Sequence, residues 1–427
     1  MGGRNIGVAI EESILKKRKI DVLIISSAYP PEGGGVATHV YYLVHALRQL
    51  TRRGTSRKIC NIHLLTTGGP SGEEGIPPNV MIHRQPGQKG HFSVFTEDAH
   101  ATGVPFEGPV GYCLKNWAII KPDLIHVHDF EAMMIGSMLK GTFKVPLIMT
   151  VHRAPREWDK ALPRRNLKDC FLQGVLSFNF ADAIVAPSNA YKQWLLAQGF
   201  PSEKIKIIPH GVPARWLASR HTADGILQRF NLEDNQRLVL CPTRLDPLKD
   251  IETFIEAAAL LKPDQIAKNV IFAIAGAGSN DYRSKLEEQA RRASVDICFR
   301  FGPADHKDVE HAEMPTLYRR ATVCVIPSKR EGFGQALLEA FVFRRPVVAA
   351  ITGGIPEVVE SEATGLLFER ENPNDLAYQM RRIFAEEGLA NSLTAKVYDS
   401  LLREFTAEIM AERYFRLYKD VTNASIK

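Results

Sequence analysis

Short apolar runs alternate with stretches of helical periodicity along this chain, and the alternation passes through two successive series. The first series falls at 21–27, 59–66, 80–84, 123–128, 145–151, 182–187 and 206–209, and the second at 237–243, 270–275, 297–301, 322–326, 346–350 and 365–368. Continuous apolar runs separated by helices imply parallel strands with helices on both faces of the sheet. A chain of 427 residues exceeds one ordinary core. The expected architecture is therefore α/β, with two doubly wound Rossmann-like domains spanning 1–212 and 213–404. Residues 211–235 mix Pro, Arg, Ser, Asp and Gly and form the expected connection between them. The segment 405–427 carries Ile409, Met410, Tyr414, Phe415, Leu417 and Tyr418 at helical spacings and reads as a closing helix.

Composition narrows the function. Hydrophobic residues make up 45% and charged residues 24%, as in a soluble globular protein. No apolar run approaches the ~18 residues of a membrane span. The N-terminal stretch, with Glu11, Glu12 and then Lys16 to Lys19, lacks the apolar core of a secretory signal, so a cytoplasmic location is expected. The net charge of +6 favours anionic partners, and no concentrated basic, aromatic-rich face speaks for nucleic acid. Cysteines at 60, 113, 170, 241, 298 and 324 show neither paired nor zinc spacing and read as reduced core residues.

In open parallel sheets ligands bind beyond the C-terminal ends of the strands, and the informative motifs here sit at such ends. After the run 322–326, Pro327 ends the strand and Glu331-Gly332-Phe333-Gly334 forms a loop feeding a helix expected over 335–344. Its glycines bring backbone N–H groups close to a ligand, a geometry that suits an anion. Glu339 is the polar exception in that helix, and no Lys or Arg three or four residues earlier pairs with it. Either backbone groups or a pair of ribose hydroxyls would satisfy it. Gly33-Gly34-Gly35-Val36 follows the first strand and reads as a tight turn or a phosphate loop, without the Lys-Ser/Thr of a P-loop. Arg244 and Lys249 flank a strand end and a helix start, as two surface charges or as converging cations. The run Gly276-Ala277-Gly278 lacks the third glycine of a dinucleotide fingerprint, Asp281 standing there, and reads as a strand-to-helix turn.

The Glu331 to Glu339 segment resembles the E-x7-E motif of retaining glycosyltransferases of family 4. The resemblance covers roughly 20–420, and 240–251 is similar to the family's Arg-Leu and Lys-Gly/Asp run. It implies the GT-B fold, in which two domains face an interdomain cleft and the C-terminal helix crosses back onto the first. The first domain would then bind the acceptor and the second the sugar nucleotide. Catalytic roles fall on His152, Arg244, Lys249 and Glu331. Donor contacts fall on Gly33, Gly34, Gly35, Val36, Gly302, Gly332, Phe333 and Gly334, with Glu339 on the ribose. His128, Asp129 and Arg153 are the acceptor candidates, and His126 reads as a structural histidine. Thr352 to Glu357 resembles the family's Gly-Gly-x-x-Glu loop, while His210-Gly211-Val212-Pro213 departs from the usual Asn-Gly-Val-Asp.

The activity that this resemblance implies is that of a retaining hexosyltransferase that needs no cofactor and no metal, uses a UDP-, GDP- or ADP-sugar, and glycosylates a hydroxyl acceptor. The stretch 153–165, with five basic residues and Trp158, reads as a solvated loop or as a peripheral membrane or lipid-phosphate contact. A sugar-nucleotide epimerase of similar fold and a non-catalytic nucleotide-sugar-binding protein are the alternatives. The first would need no acceptor; the second would lack the joint set of Glu331, Arg244, Lys249 and His152.

Overall fold

A computed structural model describes residues 20–30, 34–50, 59–67, 80–85, 87–88, 91–92, 108–128, 130–152, 180–213, 225–264, 269–302, 309 and 313–424. All thirteen expected strands are present among them, within a few residues of the expected bounds. The chain divides into two compact units. One takes in the described residues up to Pro187, then Tyr191–Pro209 and the residues from Ala407 on; the other takes in Ser188–Ala190 and His210–Thr406.

The first unit is built on a parallel sheet of seven strands. They are β1 (Ile20–Ile25), β2 (Ile59–Thr67), β3 (Val80–Gln85), β6 (Leu124–Val127), β7 (Leu147–Thr150), β8 (Ala183–Ala186) and β9 (Ile205–Ile207). Their order across the sheet is β3-β2-β1-β6-β7-β8-β9. A separate antiparallel pair, β4 (Gly87–Gln88) and β5 (His91–Phe92), comes after β3 in the chain. β6, β7 and β8 are buried at every position, which is why they read as unbroken apolar runs. Each side-chain layer needs a cover, and the C-terminal helix Ala407–Ala424 supplies part of one. It buries Met410, Ala411, Tyr414, Leu417, Tyr418 and Val421 along one stripe. Two tyrosine hydroxyls on that stripe find polar partners: Tyr418 is hydrogen-bonded to His126 Nδ1 (2.7 Å) and Tyr414 to Thr150 Oγ1 (3.0 Å).

The second unit repeats the scheme with a parallel sheet of six strands. These are β10 (Arg237–Cys241), β11 (Val270–Ile274), β12 (Phe299–Phe301), β13 (Ala321–Ile326), β14 (Val347–Ala350) and β15 (Leu366–Phe368). Here the order is β12-β11-β10-β13-β14-β15. Phe254, Phe272, Phe299 and Leu286 pack with Val239, Val323 and Met380 into its core. The aromatic rings of Phe254 and Phe299 meet edge to face at 5.4 Å, a favoured geometry. Cys113, Cys241, Cys298 and Cys324 are free thiols, and burial pushes each up from its ordinary pKa, as expected for core residues. Among the described residues no helix is long and apolar enough to cross a membrane.

Candidate functional site

In the second unit β11 lies on one side of β10 and β13 on the other. Connections leaving β10 and β13 therefore depart to opposite faces, and a crevice opens at their C-terminal ends. The loops there carry the residues singled out from sequence. Lys249 Nζ donates to Glu331 Oε2 at 2.6 Å, and Ser328 Oγ donates to the same oxygen at 3.3 Å. The two loops are also joined through backbone, Lys329 N donating to Leu248 O. Arg244 stands beside them with its side chain 51% exposed and its guanidinium 3.9 Å from Asp246. Asp246 in turn accepts from Leu248 N, fixing the short turn that aims Lys249.

Asp250 closes that turn at a positive φ of 53°, where a side chain other than Gly is strained. It is held by Thr253 Oγ1 (2.8 Å) and by Lys329 Nζ (3.3 Å). Burial raises its pKa, and the bonds from Thr253 and Lys329 oppose that rise.

Two glycine pairs have steric reasons. A Cβ at Gly276 would lie 2.1 Å from Thr243 O, and one at Gly278 would lie 2.2 Å from Leu245 Cβ. The run read as a strand-to-helix turn is therefore also the wall against which the Arg244 segment rests, joined by the bond from Leu245 N to Ala277 O. Likewise a Cβ at Gly353 would lie 1.7 Å from Glu331 O, and one at Gly354 2.7 Å from Gly332 O. The Gly353–Gly354 loop props up the backbone that presents Glu331.

Gly334, at φ 94°, precedes the helix Gln335–Val342, which ends two residues short of the sequence expectation where Arg344 turns to φ 51°. No acidic side chain occupies its first turn, so its N-terminal N–H groups and dipole are not countered locally. Glu339 is 7% exposed and receives Tyr318 OH at 2.8 Å. A phenol twenty-one positions away thus supplies a donor that helix spacing does not show. Phe333 differs from its neighbours in the motif. Its ring is buried against His210 (5.2 Å) and Phe405 (5.8 Å), so its side chain is not available to a ligand. Burial lowers the pKa of His210 to about 4, with the Glu331 charge opposing.

Gly302 ends β12 at φ 93°. Two strand spacings separate β12 from β10, about 10 Å. Gly302 is therefore at the same edge of the sheet as the Lys249–Glu331 pair but not in it.

In the first unit Gly34 turns at φ 120° and Gly35 and Val36 open the helix Gly35–Leu50, which has no acid in its first turn. His126 is a buried structural histidine bonded on both ring nitrogens, to Tyr418 and to Thr150 Oγ1 (2.8 Å), and burial lowers its pKa to about 3. His128 follows β6 and His152 follows β7. Their rings meet with His128 Nδ1 3.1 Å from His152 Nε2. His39, from the helix Gly35–Leu50, joins them with ring centroids 5.4 Å from His128 and 4.7 Å from His152. Gly33, Asp129 and Arg153, and the basic stretch 153–165, lie outside the described residues.

Arg244, Lys249, Glu331 and Glu339 were singled out from sequence, and the structure brings Lys249 and Glu331 together; Ser328, Tyr318 and His39 were not singled out, and His210 was noted only as a departure from the family's pattern. Ser328 carried a local signal, three positions before Glu331 on the same loop. Tyr318 and His39 make their contacts across elements and left none.

Two family patterns match the chain, one on each side of residues 217–223. The pattern of glycosyltransferase family 4 matches residues 33–216, and that of glycosyl transferases group 1 matches residues 224–399. An uncharacterized glycosyltransferase of Methanocaldococcus jannaschii is 25% identical over 93% of this chain and 97% of its own. The D-inositol 3-phosphate glycosyltransferase of Geodermatophilus obscurus is 25% identical over 97% of this chain and 92% of its own. Among solved structures, sucrose-phosphate synthase of Thermosynechococcus elongatus superposes with a TM-score of 0.75 at 21% identity, covering 95% of this chain and 100% of that one. The Anabaena protein HepE in complex with UDP-glucose superposes at 0.71 and 18% identity, covering 94% and 100%. The fold is that of the GT-B glycosyltransferases.

Proposed function

The chain belongs to the family 4 glycosyltransferases, and from that premise we propose that it moves a sugar from a nucleoside diphosphate donor to a hydroxyl acceptor with retention at the anomeric carbon. The observation that carries this reading is the Lys249–Glu331 pair at the switch point of the second sheet. Arg244 and the acid-free N-terminus of the helix Gln335–Val342 flank it. One carboxylate for sugar hydroxyls and two cations plus backbone N–H groups for a diphosphate are the complement of a sugar nucleotide.

Arg244 and Lys249 neutralise the charge that builds on the diphosphate as its bond to the sugar breaks, and the helix N-terminus takes the distal phosphate. Glu331 accepts from sugar hydroxyls while Lys249, bonded to it, ties the position of the sugar to that of the leaving group. Glu339, steadied by Tyr318, accepts from the ribose, and the backbone at Gly302 meets the base. The first unit holds the acceptor, with His128 and His152 at its strand ends. The acceptor oxygen bonds to the anomeric carbon on the face from which the phosphate departs, and the departing phosphate oxygen takes the acceptor's proton. No protein nucleophile and no metal enter this scheme, so transfer is expected to persist in EDTA. Complete loss in chelator, restored by magnesium or manganese, would refute that part.

The test is a panel of UDP-, GDP- and ADP-sugars scored by thermal stabilisation and by product. UDP-glucose, which HepE holds, is the first donor arm, and inositol 3-phosphate, named for one relative, the first acceptor arm. A donor at 100 times its dissociation constant adds ~2.7 kcal/mol to the folded state. Absence of stabilisation by every sugar nucleotide would overturn the proposal. Release of free nucleotide in the absence of any acceptor would favour an epimerase.

A further inference from the structure

His39, His128 and His152 come from three separate elements of the first unit, and one ring nitrogen of each lies within 4.8 Å of the other two. His39 and His128 are fully buried, while His152 is partly exposed, which gives an ion a way in. The pair His128 Nδ1 and His152 Nε2 are 3.1 Å apart. Zinc–imidazole bonds are about 2.0–2.1 Å long, so two ligands on a tetrahedral ion stand about 3.3 Å apart. The observed pair, which shares a hydrogen bond whose place an ion would take, is already close to that spacing, and a His39 ring nitrogen lies within 4.8 Å of one on each of them. The nearby fourth histidine, His126, is committed to Tyr418 and Thr150 and stays out of the set.

We propose that His39, His128 and His152 form a binding site for a divalent transition-metal ion of the zinc class, and that occupancy of the site restrains glycosyl transfer by engaging His152. Three neutral imidazoles suit zinc, copper or nickel and do not suit magnesium or calcium, which take oxygen ligands. A bound water completes the tetrahedron. The inhibitory half of the proposal rests on the function proposed above; the binding half does not.

The test uses cobalt(II) as a spectroscopic probe on the full chain. Wild type is expected to take up one equivalent with the visible absorption of a tetrahedral ion, and zinc is expected to displace it. His39→Gln is expected to weaken binding by more than the roughly 10–100-fold that loss of an outer-shell partner costs. His45→Gln, on the same helix but outside the cluster, is expected to bind as wild type does. His39→Cys replaces the ring by a thiolate and is expected to add a charge-transfer band, which shows direct ligation even if the Gln variant folds poorly. Absence of stoichiometric cobalt in wild type, or unchanged binding in His39→Gln, overturns the site. Zinc is further expected to lower transfer and EDTA to restore it; binding with transfer unchanged overturns the restraint. A wild type that binds cobalt but transfers no sugar even after EDTA has stripped the ion would refute the proposed function and leave the site standing.

Discussion

Lys249 and Glu331 stand 82 positions apart, yet they share a 2.6 Å hydrogen bond at one sheet edge. Each residue was legible as a candidate because each sits in a short motif at a strand end. Their pairing was not, since it depends on which strands are neighbours. Arg244→Ala and Lys249→Ala are each expected to lower turnover by ~10²-fold or more with the fold intact, because in the proposed mechanism the lost charge faces a leaving group that grows more negative. Turnover and a circular dichroism melt check this together, and wild-type turnover in either variant would refute the role. The two glutamates are expected to separate. Glu339→Gln is expected to weaken the bare nucleotide diphosphate and the full donor alike, whereas Glu331→Gln spares the bare nucleotide and lowers turnover with the donor. Hydrogen bonds to a charged group contribute about 1.5–3 kcal/mol, a difference that calorimetric titration resolves. Equal weakening of the bare nucleotide by both variants would end that division of roles.

At the scale of elements, the strands and the C-terminal helix Ala407–Ala424 were legible because buried parallel strands are continuous apolar runs and buried helices are periodic ones. The meaning of the glycines was not. A turn accounts for Gly276 in the sequence, but the structure shows that a Cβ there would run into the backbone of Thr243. Gly276→Ala is therefore expected to displace the Arg244 segment, lowering stability by about 1–3 kcal/mol, as overpacking does, and weakening donor binding as well. A thermal melt with and without nucleotide reads both effects; an unchanged melt would refute the steric role of Gly276. On the C-terminal helix, Tyr418→Phe removes the hydroxyl bonded to buried His126 Nδ1. Leaving that nitrogen without its partner is expected to cost about 1–3 kcal/mol in the transition of the first unit, measured by denaturant melt. Amphipathic spacing announced the helix, but not the histidine it covers.

For the whole molecule, buried histidines contribute to the loss of stability in acid. Burial lowers His126 to about 3, and His63 and His210 to about 4. Folded, they stay neutral until the pH reaches those values; unfolded, they take up protons near the ordinary value of about 6.5. Between about 6.5 and 4 the unfolded chain binds more protons, so stability is lost as the pH falls through that window and is fully present above it. Each group steepens the loss by up to about 1.4 kcal/mol per pH unit. Calorimetry from pH 7.5 to 4.5 is expected to show a shallower acid slope in His210→Gln, in the transition of the second unit, and in His126→Gln, in that of the first; equal slopes would refute the assignment. The sequence by itself determined two parallel-sheet units, their strands and the motifs at the strand ends, because burial and helical period are written residue by residue along the chain. Strand order, and with it the meeting of Lys249 with Glu331, of Tyr318 with Glu339 and of His39 with His128 and His152, was decided only by tertiary structure, because those contacts depend on which crossovers neighbour which, and no local pattern encodes that.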